Sequence, residues 1–202
     1  MKFLVIILIF FIPLLAGVGK VTYIKGDVSL SRNHKDKKAT VGMQLEEKDV
    51  FVTKKDSLVK LLFEDKSAVS IGSKSEFSIE NYLYDEKKNS VAKFKLSKGV
   101  FRMITGKIAK ASPDKFKLKT KTVTIGIRGT IFSGTVKQDQ EEFFCEKGTI
   151  YVRSKGVSFD IAKGYKTLVI PGEKPSPPKR YKASDLQKIR TETSGWKNKD
   201  CK

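Results

Sequence analysis

The residue types that could carry chemistry are few in this sequence, and none has the spacing of a catalytic group. The single histidine, His34, lies in the polar run SRNHKDKK, which is typical of a loop between strands. A catalytic triad would therefore have to be built around a loop tip. The sequence contains no His/Cys/Asp/Glu cluster with metal-ligand spacing and no glycine-rich phosphate loop. It therefore predicts no catalytic, cofactor-binding or metal-binding residues.

The carboxylates recur at predicted turns. Asp49, Asp56, Glu64 and Asp65 adjoin short apolar runs, where aspartate typically accepts hydrogen bonds from nearby backbone N–H groups. A glycan-active enzyme that uses two carboxylates stays open as the weakest alternative, because the fold sets their separation. We expect a protein that is not an enzyme.

The segment with the most distinctive spacing is IGIRGTIF, which places Arg128 between Gly126 and Gly129. Glycine lets a strand bend or approach its neighbour closely, and a guanidinium offers five donors in a planar fork. We expect Arg128 to satisfy carbonyls or a carboxylate at a bend, with partner binding as the alternative. Thr130 is expected to add a backbone hydrogen bond, and Phe132 to anchor the segment in the core.

The net positive charge of the chain indicates anionic partners. The chain carries 41 Lys and Arg against 22 Asp and Glu, a formal charge of +19, which attracts anionic partners. The basic residues are mostly lysines spread along the chain, without an RNA-binding aromatic motif or zinc spacing, so we expect no nucleic-acid partner. Two interpretations remain: a solvated lysine surface, or a surface for acidic glycan or lipid whose binding salt would screen.

Residues 1–19 have the pattern of a secretory signal peptide. A lysine precedes an apolar run from Phe3 to Ala16, and small residues follow. The run is shorter than the roughly 20 apolar residues that span a bilayer. We expect export to the periplasm or cell surface, with an uncleaved N-terminal anchor as the alternative and no further transmembrane helix.

The two cysteines, Cys145 and Cys201, allow one disulfide in an oxidising compartment. Such a bond would attach the C-terminal tail to the region around Cys145. Two unpaired thiols are the alternative.

Short alternating runs separated by turn-forming residues fill residues 19–172 and predict an all-β fold. In residues 91–97 the even-numbered positions are apolar, which predicts a half-buried strand with lysines outside. The apolar positions are even in residues 116–118 but odd in residues 123–127. Because a straight strand keeps its parity, we expect a bulge or break within residues 119–122.

The composition changes after residue 172. Pro175, Pro177 and Pro178 predict a stiff connector, and Ser184 followed by Gln187 predicts the N-cap of a short helix. The predicted organisation is a signal peptide at residues 1–19, a β domain at residues 20–172 with its core signature at residues 20–136, and a Pro/Lys-rich tail at residues 173–202.

These segments together resemble the FecR family, the periplasmic domain of ferric-citrate-type sensors. The resemblance rests on VTYIKGDVSLSR, GMQLEEKDVFVT, LLFEDKSAVSI, LSKGVFRMI and TVTIGIRGTIF. It covers most of residues 19–136 and, more weakly, residues up to about 172. IGIRGTIF is similar to the family's Gly-Val-Arg-Gly-Thr-x-Phe signature. LLFEDKSAVSI is similar to its Asp-Gly-Ser strand turn, which adds Asp65 and Ser67 to the candidate residues.

The resemblance implies an all-β domain of antiparallel sandwich or jelly-roll type and no enzyme activity. Lys48 and Lys66 stand where the family usually has glycine, so we expect those turns to be rearranged. Only Met1 and Lys2 precede the apolar segment, whereas a full anti-sigma regulator of this family has a cytoplasmic segment there. The family name does not imply iron binding, because the chain shows no ligand cluster for iron.

From these patterns we expect an exported, non-catalytic FecR-like domain that binds another cell-envelope component, first of all a protein, in sensing, signalling or assembly. The alternative is a basic surface protein that associates with acidic glycan or lipid.

Overall fold

The computed structural model describes residues 17–85 and 89–194. The predicted signal peptide, apart from its last residues, and Cys201 lie outside these ranges. Within them the chain is predominantly β, so the all-β prediction is confirmed, as is the short C-terminal helix. The elements are β1 (Gly19–Lys25), β2 (Val28–Arg32), β3 (Lys35–Lys38), β4 (Gln44–Leu45), β5 (Val50–Thr53), β6 (Leu58–Phe63), β7 (Ala68–Ile71), β8 (Glu76–Leu83), β9 (Val91–Ile104), α1 (Lys107–Ala111), a 3₁₀ turn (Pro113–Lys115), β10 (Phe116–Lys119), β11 (Thr124–Val136), β12 (Glu141–Ser154), β13 (Val157–Ala162), β14 (Tyr165–Val169), β15 (Lys179–Arg180) and α2 (Ala183–Ser194).

The strands form one continuous hydrogen-bonded sheet that folds over into two layers. Layer A contains β4, β1, β6 and β7, followed by one half each of β9, β11 and β12, and then β14 and β15. Layer B contains β3, β2, β5 and β8, followed by the other half of β9, then β10, the other halves of β11 and β12, and β13. The result is a sandwich whose layers share three long strands.

Each of the three shared strands changes its neighbours at a glycine with positive φ. These glycines are Gly99 in β9 (109°), Gly129 in β11 (59°) and Gly148 in β12 (77°). In β11, for example, residues 124–126 pair with β10, whereas residues 131–136 pair with β9. Sheet corners of this kind need bulges or bends, and glycine adopts the left-handed conformation at low cost.

Aromatic side chains from both layers meet in the core. The ring of Phe63 in layer A lies 5.1 Å from that of Tyr82 and 5.0 Å from that of Phe94 in layer B, centroid to centroid. Phe94 also contacts Phe116, at 5.5 Å. Such tilted pairs add about 0.5–1.5 kcal/mol each to the burial of their apolar area.

The two parity predictions are confirmed. In β9 the even-numbered side chains at positions 92, 94 and 96 are buried, and the intervening lysines face outward. The apolar positions change parity after β10 because a tight turn at residues 120–123 separates β10 from β11. The two strands form an antiparallel hairpin.

One feature that parity did not predict is the parallel pairing of β9 and β10 in an otherwise antiparallel sheet. Parallel neighbours need a crossover connection. Here residues 105–115 provide it, through α1 and the 3₁₀ turn.

Helix α2 packs on the outer side of layer A. Leu186 and Ile189 form a small second core with Val100 and Phe144. The helix begins after Lys182, whose backbone N–H donates to the carboxylate of Asp185 at 3.0 Å. The predicted N-cap at Ser184 is therefore wrong by two residues, because Asp185 supplies the carboxylate that closes the first turn.

Candidate functional site

The candidate residue Asp65 is the centre of a buried hydrogen-bond network. Its carboxylate accepts bonds from the Ser67 N–H (3.0 Å), the Ser67 hydroxyl (2.8 Å), the Tyr82 hydroxyl (3.0 Å) and the Ile108 N–H (3.2 Å). Its carbonyl oxygen also accepts from the Lys107 N–H at 2.7 Å. Asp65 is 0% exposed, so these donors replace the water that the carboxylate lost on burial. Asp65 therefore attaches the β6–β7 turn to the start of α1.

The same network affects Tyr82. Burial, and then the charge of Asp65, raise the pKa of the Tyr82 phenol far above its ordinary value. The phenol stays protonated at any physiological pH and acts as a donor to Asp65. This arrangement is structural, because Tyr82 is 3% exposed and has no access to a substrate.

The two sequence motifs meet at residues 105–108, the start of the crossover. The Thr105 hydroxyl accepts from the Thr130 N–H at 2.9 Å and donates to the Thr130 carbonyl at 3.1 Å. The Gly106 N–H donates to the Ser67 hydroxyl at 2.9 Å. The IGIRGTIF and EDKS segments thus hold one connection between them, from opposite sides.

Gly106 is a residue that sequence reasoning missed. Its φ is −98°, which any residue adopts, but a Cβ there would lie 2.1 Å from the Asp65 carbonyl oxygen and 2.5 Å from the Ser67 nitrogen. The close approach of two backbones therefore requires glycine. The sequence signal was a threonine and a glycine directly after an apolar strand, which alone indicates only a turn.

The expectation that the turns at Lys48 and Lys66 are rearranged is wrong. Their φ angles are 68° and 69°, so both lysines take the left-handed conformation that glycine would have supplied. The Asp65 hydrogen bonds hold the second turn in place despite the cost of that conformation to a residue with a Cβ.

The expected contacts of Arg128 do not form. Its side chain is exposed, and within residues 17–85 and 89–194 it makes no hydrogen bond or ion pair. The backbone N–H and carbonyl of Thr130 at this bend are satisfied by Thr105, so these two groups do not need the guanidinium. Thr130 contributes its backbone groups rather than its hydroxyl, which is buried without a partner in the described part of the chain. Phe132 is the expected core anchor: it is 0% exposed and 5.4 Å from Phe101.

Arg128 lines a shallow cleft of about 400 Å³ on the outside of this corner. Tyr151, 44% exposed, stands beside it, and the cleft also contains Asp114 and Asp160. The Tyr151 hydroxyl is within 2.7 Å of the Ser158 hydroxyl, which orients the ring. Arginine and tyrosine are enriched at protein interfaces, so this arrangement suits recognition of a partner surface.

A second arginine, Arg32, was missed by sequence reasoning and has the role expected of Arg128. It donates from Nε and Nη2 to the two oxygens of the buried Asp49, both at 2.7 Å, and it also binds Glu46. Hydrogen bonding to Asp49, its largest influence, raises the pKa of Arg32. The signal in the sequence was one arginine among lysines at the end of β2, which does not reveal a partner 17 residues away.

The remaining chemical candidates lie apart. His34 is exposed at the β2–β3 turn, with a φ of 60°. Cys145 is buried in β12, and burial raises the pKa of its thiol to about 11, so it stays protonated. The predicted pairing with Cys201 lies outside the described residues. In the ranges that the structure describes, no group of three or more His, Cys, Asp or Glu side chains is close enough to hold a metal.

The described helices offer no membrane span: none combines the length and the apolar character that crossing a bilayer requires.

The fold and the site define a class of protein: an all-β sandwich whose long strands change layers at glycines, with the exposed Arg128 beside one of these glycines, Gly129. Residues 49–151, about half of the chain, match the family described as FecR protein. The chain therefore belongs to the FecR family, as the sequence resemblance predicted.

Solved structures agree on the fold. Two crystal structures of a protein of Parabacteroides distasonis ATCC 8503, described as a "putative anti-sigma factor" and determined at 1.65 and 2.50 Å resolution, are similar to this chain. Each matches with a TM-score of 0.56 and 11% sequence identity, over 68% of this chain and 62% of that one. The chain thus spans less than two thirds of the length of these structures. No curated protein matches it significantly.

Proposed function

We propose that this chain is an exported FecR-type domain that binds another cell-envelope protein, in sensing, signalling or assembly. The observation that carries the proposal is Arg128. It belongs to the signature segment, the surrounding backbone is held by other residues, and its guanidinium remains exposed beside Tyr151. A guanidinium that the fold does not use is available for a partner.

The composition of the cleft favours a protein partner. Arg128 supplies a planar donor fork, Tyr151 an apolar ring with a polar tip, and Asp114 and Asp160 two acceptors. Mixed surfaces of this kind are typical of protein interfaces, in which a few Arg and Tyr side chains contribute most of the binding energy. Family membership and the fold shared with the anti-sigma-type neighbour support a signalling role.

Export is proposed on the sequence of residues 1–19 alone, which has a basic start, an apolar run and small residues. The alternative class of partner, an acidic glycan or lipid, is favoured by the lysines on the outer face of layer B, which adjoin this cleft at Gly126.

The proposal is tested by affinity isolation of the tagged full chain from crosslinked envelopes, washed at low and high salt, with bound proteins identified by mass spectrometry. We expect one protein to persist at high salt with the native chain and to be lost with Arg128→Ala. Arg180→Ala is the matched control, because Arg180 is an exposed arginine on β15 at the far edge of layer A. Equal recovery with both variants, or recovery of acidic polymer alone, would contradict the proposal.

A further inference from the structure

We propose that the outer face of layer B binds an acidic polysaccharide. The surface, which we call the lysine face, consists of Lys93 and Lys95 of β9, Lys117 and Lys119 of β10, and Arg153 of β12. Lys93, Lys119 and Arg153 are exposed, and the other two are half-buried.

Strand register places these cations in two rows. Lys93 pairs with Lys117, and Lys95 with Lys119, across the parallel β9–β10 contact. Neighbouring strands are about 4.8 Å apart, and residues i and i+2 about 6.6 Å apart. The four ammonium groups therefore project from a small square of backbone. Arg153 continues the second row, because Lys119 pairs with Thr124 and Thr124 with Arg153.

The fold leaves this square without compensating charge. None of the five side chains forms an ion pair or hydrogen bond with any group in residues 17–85 or 89–194. The strand segments at residues 91–98, 116–119 and 124–128 contain no Asp or Glu. Glu80 lies at the border, in a shallow depression of about 520 Å³ with Lys93 and Lys119, but does not pair with either.

Like charges in register on adjacent strands destabilise a sheet. An ordinary solvated surface intersperses the two signs, as β3 does with Asp36 among its lysines. On the lysine face the repulsion is imposed by the crossover that Asp65 holds, because this crossover places β10 parallel to β9. A bound polyanion would relieve the repulsion, and the surface is therefore complementary to a chain of regularly spaced negative charges.

The neighbouring residues favour a sugar polymer over a bilayer. The first row continues from Lys117 to Gly126 and Tyr151, and it ends at the exposed Asp160 on β13, the acidic border of the face. Gly126 leaves a low point in the row, and a Cβ placed there would lie 3.7 Å from the Tyr151 side chain, so the ring borders an open trough. A flat ring beside a trough can stack on a sugar. Membrane binding gains from apolar side chains that insert as well as from charge, and of the large apolar residues in these rows only Tyr151 is exposed among the described residues.

The test measures binding of the full chain to polygalacturonate, with neutral dextran and with vesicles of phosphatidylglycerol and phosphatidylcholine as comparisons. The double variant Lys93→Gln/Lys117→Gln removes both lysines of the first row and leaves Arg128 and Tyr151 in place. The control, Lys174→Gln/Lys179→Gln, removes the same charge from exposed lysines near β14 and β15. We expect the face variant to lose affinity for polygalacturonate roughly threefold to tenfold at low salt, as expected for two exposed charge contacts. The control should stay within about twofold, because diffuse charge contributes little per residue.

The melting temperature separates a lost site from a damaged fold. Because Lys93 and Lys117 repel each other, the face variant should melt at the same temperature as the native chain or higher. Equal losses of affinity for polygalacturonate in both variants would show that net charge alone attracts the polymer. Binding of dextran as tight as that of polygalacturonate would show that charge is not recognised. Binding to the vesicles but not to polygalacturonate would assign the face to lipid. Each of these three results would overturn the proposal. The Arg128 cleft shares Gly126 and Tyr151 with this face, but both variants leave Arg128 and Tyr151 in place, so recovery of an envelope protein tests the cleft separately.

Discussion

The carboxylate of Asp65 accepts a hydrogen bond from the backbone N–H of Ile108 at 3.2 Å, across 43 residues of chain. Together with the Thr105–Thr130 hydrogen bonds, this contact links the turn segment EDKS to the strand segment IGIRGTIF through the crossover. Asp65 and Ser67 hold the start of the crossover from one side, and Thr130 holds it from the other. The crossover in turn sets the position of β10, and so the surface that layer B presents.

Replacing Asp65 with Asn tests this network. The amide nitrogen cannot accept the hydrogen bonds that Ile108 N–H and the Ser67 hydroxyl now donate, so at least one buried group loses its partner. We expect the free energy of unfolding to fall by about 2–3 kcal/mol, measured by urea denaturation. Asp56→Asn is the control, because Asp56 lies in an exposed turn with a φ of 57°, which Asn tolerates. A loss below 0.5 kcal/mol at Asp65, a size typical of an ordinary surface substitution, would show that the network is dispensable.

Gly106 and Gly126 make a matched pair for a second prediction. A Cβ on Gly106 would lie 2.1 Å from backbone, whereas one on Gly126 would lie 3.7 Å from the nearest atom. We expect Gly106→Ala to cost about 3 kcal/mol, at the upper end of typical substitutions, and Gly126→Ala to change stability by about 0.5 kcal/mol or less in either direction. Thermal melting of both variants checks the difference. Equal effects would contradict the assignment of Gly106 as the close contact.

Arg32 and Arg128 have contrasting surroundings, so we expect their alanine variants to have very different effects on stability. Arg32→Ala leaves Asp49, 0% exposed, as a buried carboxylate without its cation, so we expect a loss of about 3–5 kcal/mol. Arg128→Ala removes an exposed side chain that makes no hydrogen bond or ion pair within the described residues, so stability should change by about 0.5 kcal/mol or less. Denaturant unfolding of the two variants measures this. A large loss at Arg128 would restore the structural role that the sequence suggested.

The docking of α2 should weaken in acid. Burial would raise the pKa of Glu146, but its hydrogen bonds and charge contacts with Arg102 and Arg190 outweigh burial, and the net pKa lies below its ordinary value of 4.5. A lowered folded-state pKa stabilises the protein above that ordinary value, and this contribution is lost as the pH falls through 4.5 and below. Glu146→Gln should therefore destabilise the protein at pH 7, and this destabilisation should shrink progressively as the pH falls below 4.5, as measured by urea unfolding at a series of pH values. A difference that stays constant with pH would contradict the assignment.

Much of the fold follows from local pattern, and the rest depends on pairing between distant segments. The parity of residues 91–97 predicts which side of β9 is buried, and the parity change near residue 120 predicts the hairpin turn, because both depend only on alternation. Alternation assigns a face but not a neighbour. It therefore could not predict that β10 lies parallel to β9, nor that β11 changes partners at Gly129.

The candidate site shows the same division. The family signature correctly indicated the corner at Gly129 and the core role of Phe132. It did not reveal that the Thr105 hydroxyl, 25 residues away, would satisfy the backbone that Arg128 was expected to satisfy. The role of an arginine depends on which donors and acceptors the rest of the fold has already paired.

The most direct test of a partner at the Arg128 corner is site-specific photo-crosslinking in the full chain within envelopes. A photoreactive phenylalanine analogue would replace Tyr151, which borders the cleft, and in a separate variant Val41, which is 63% exposed in the β3–β4 turn. We expect one discrete protein adduct from position 151 that disappears with Arg128→Ala, and no such adduct from position 41. No adduct from position 151, or the same adducts from both positions, would contradict it.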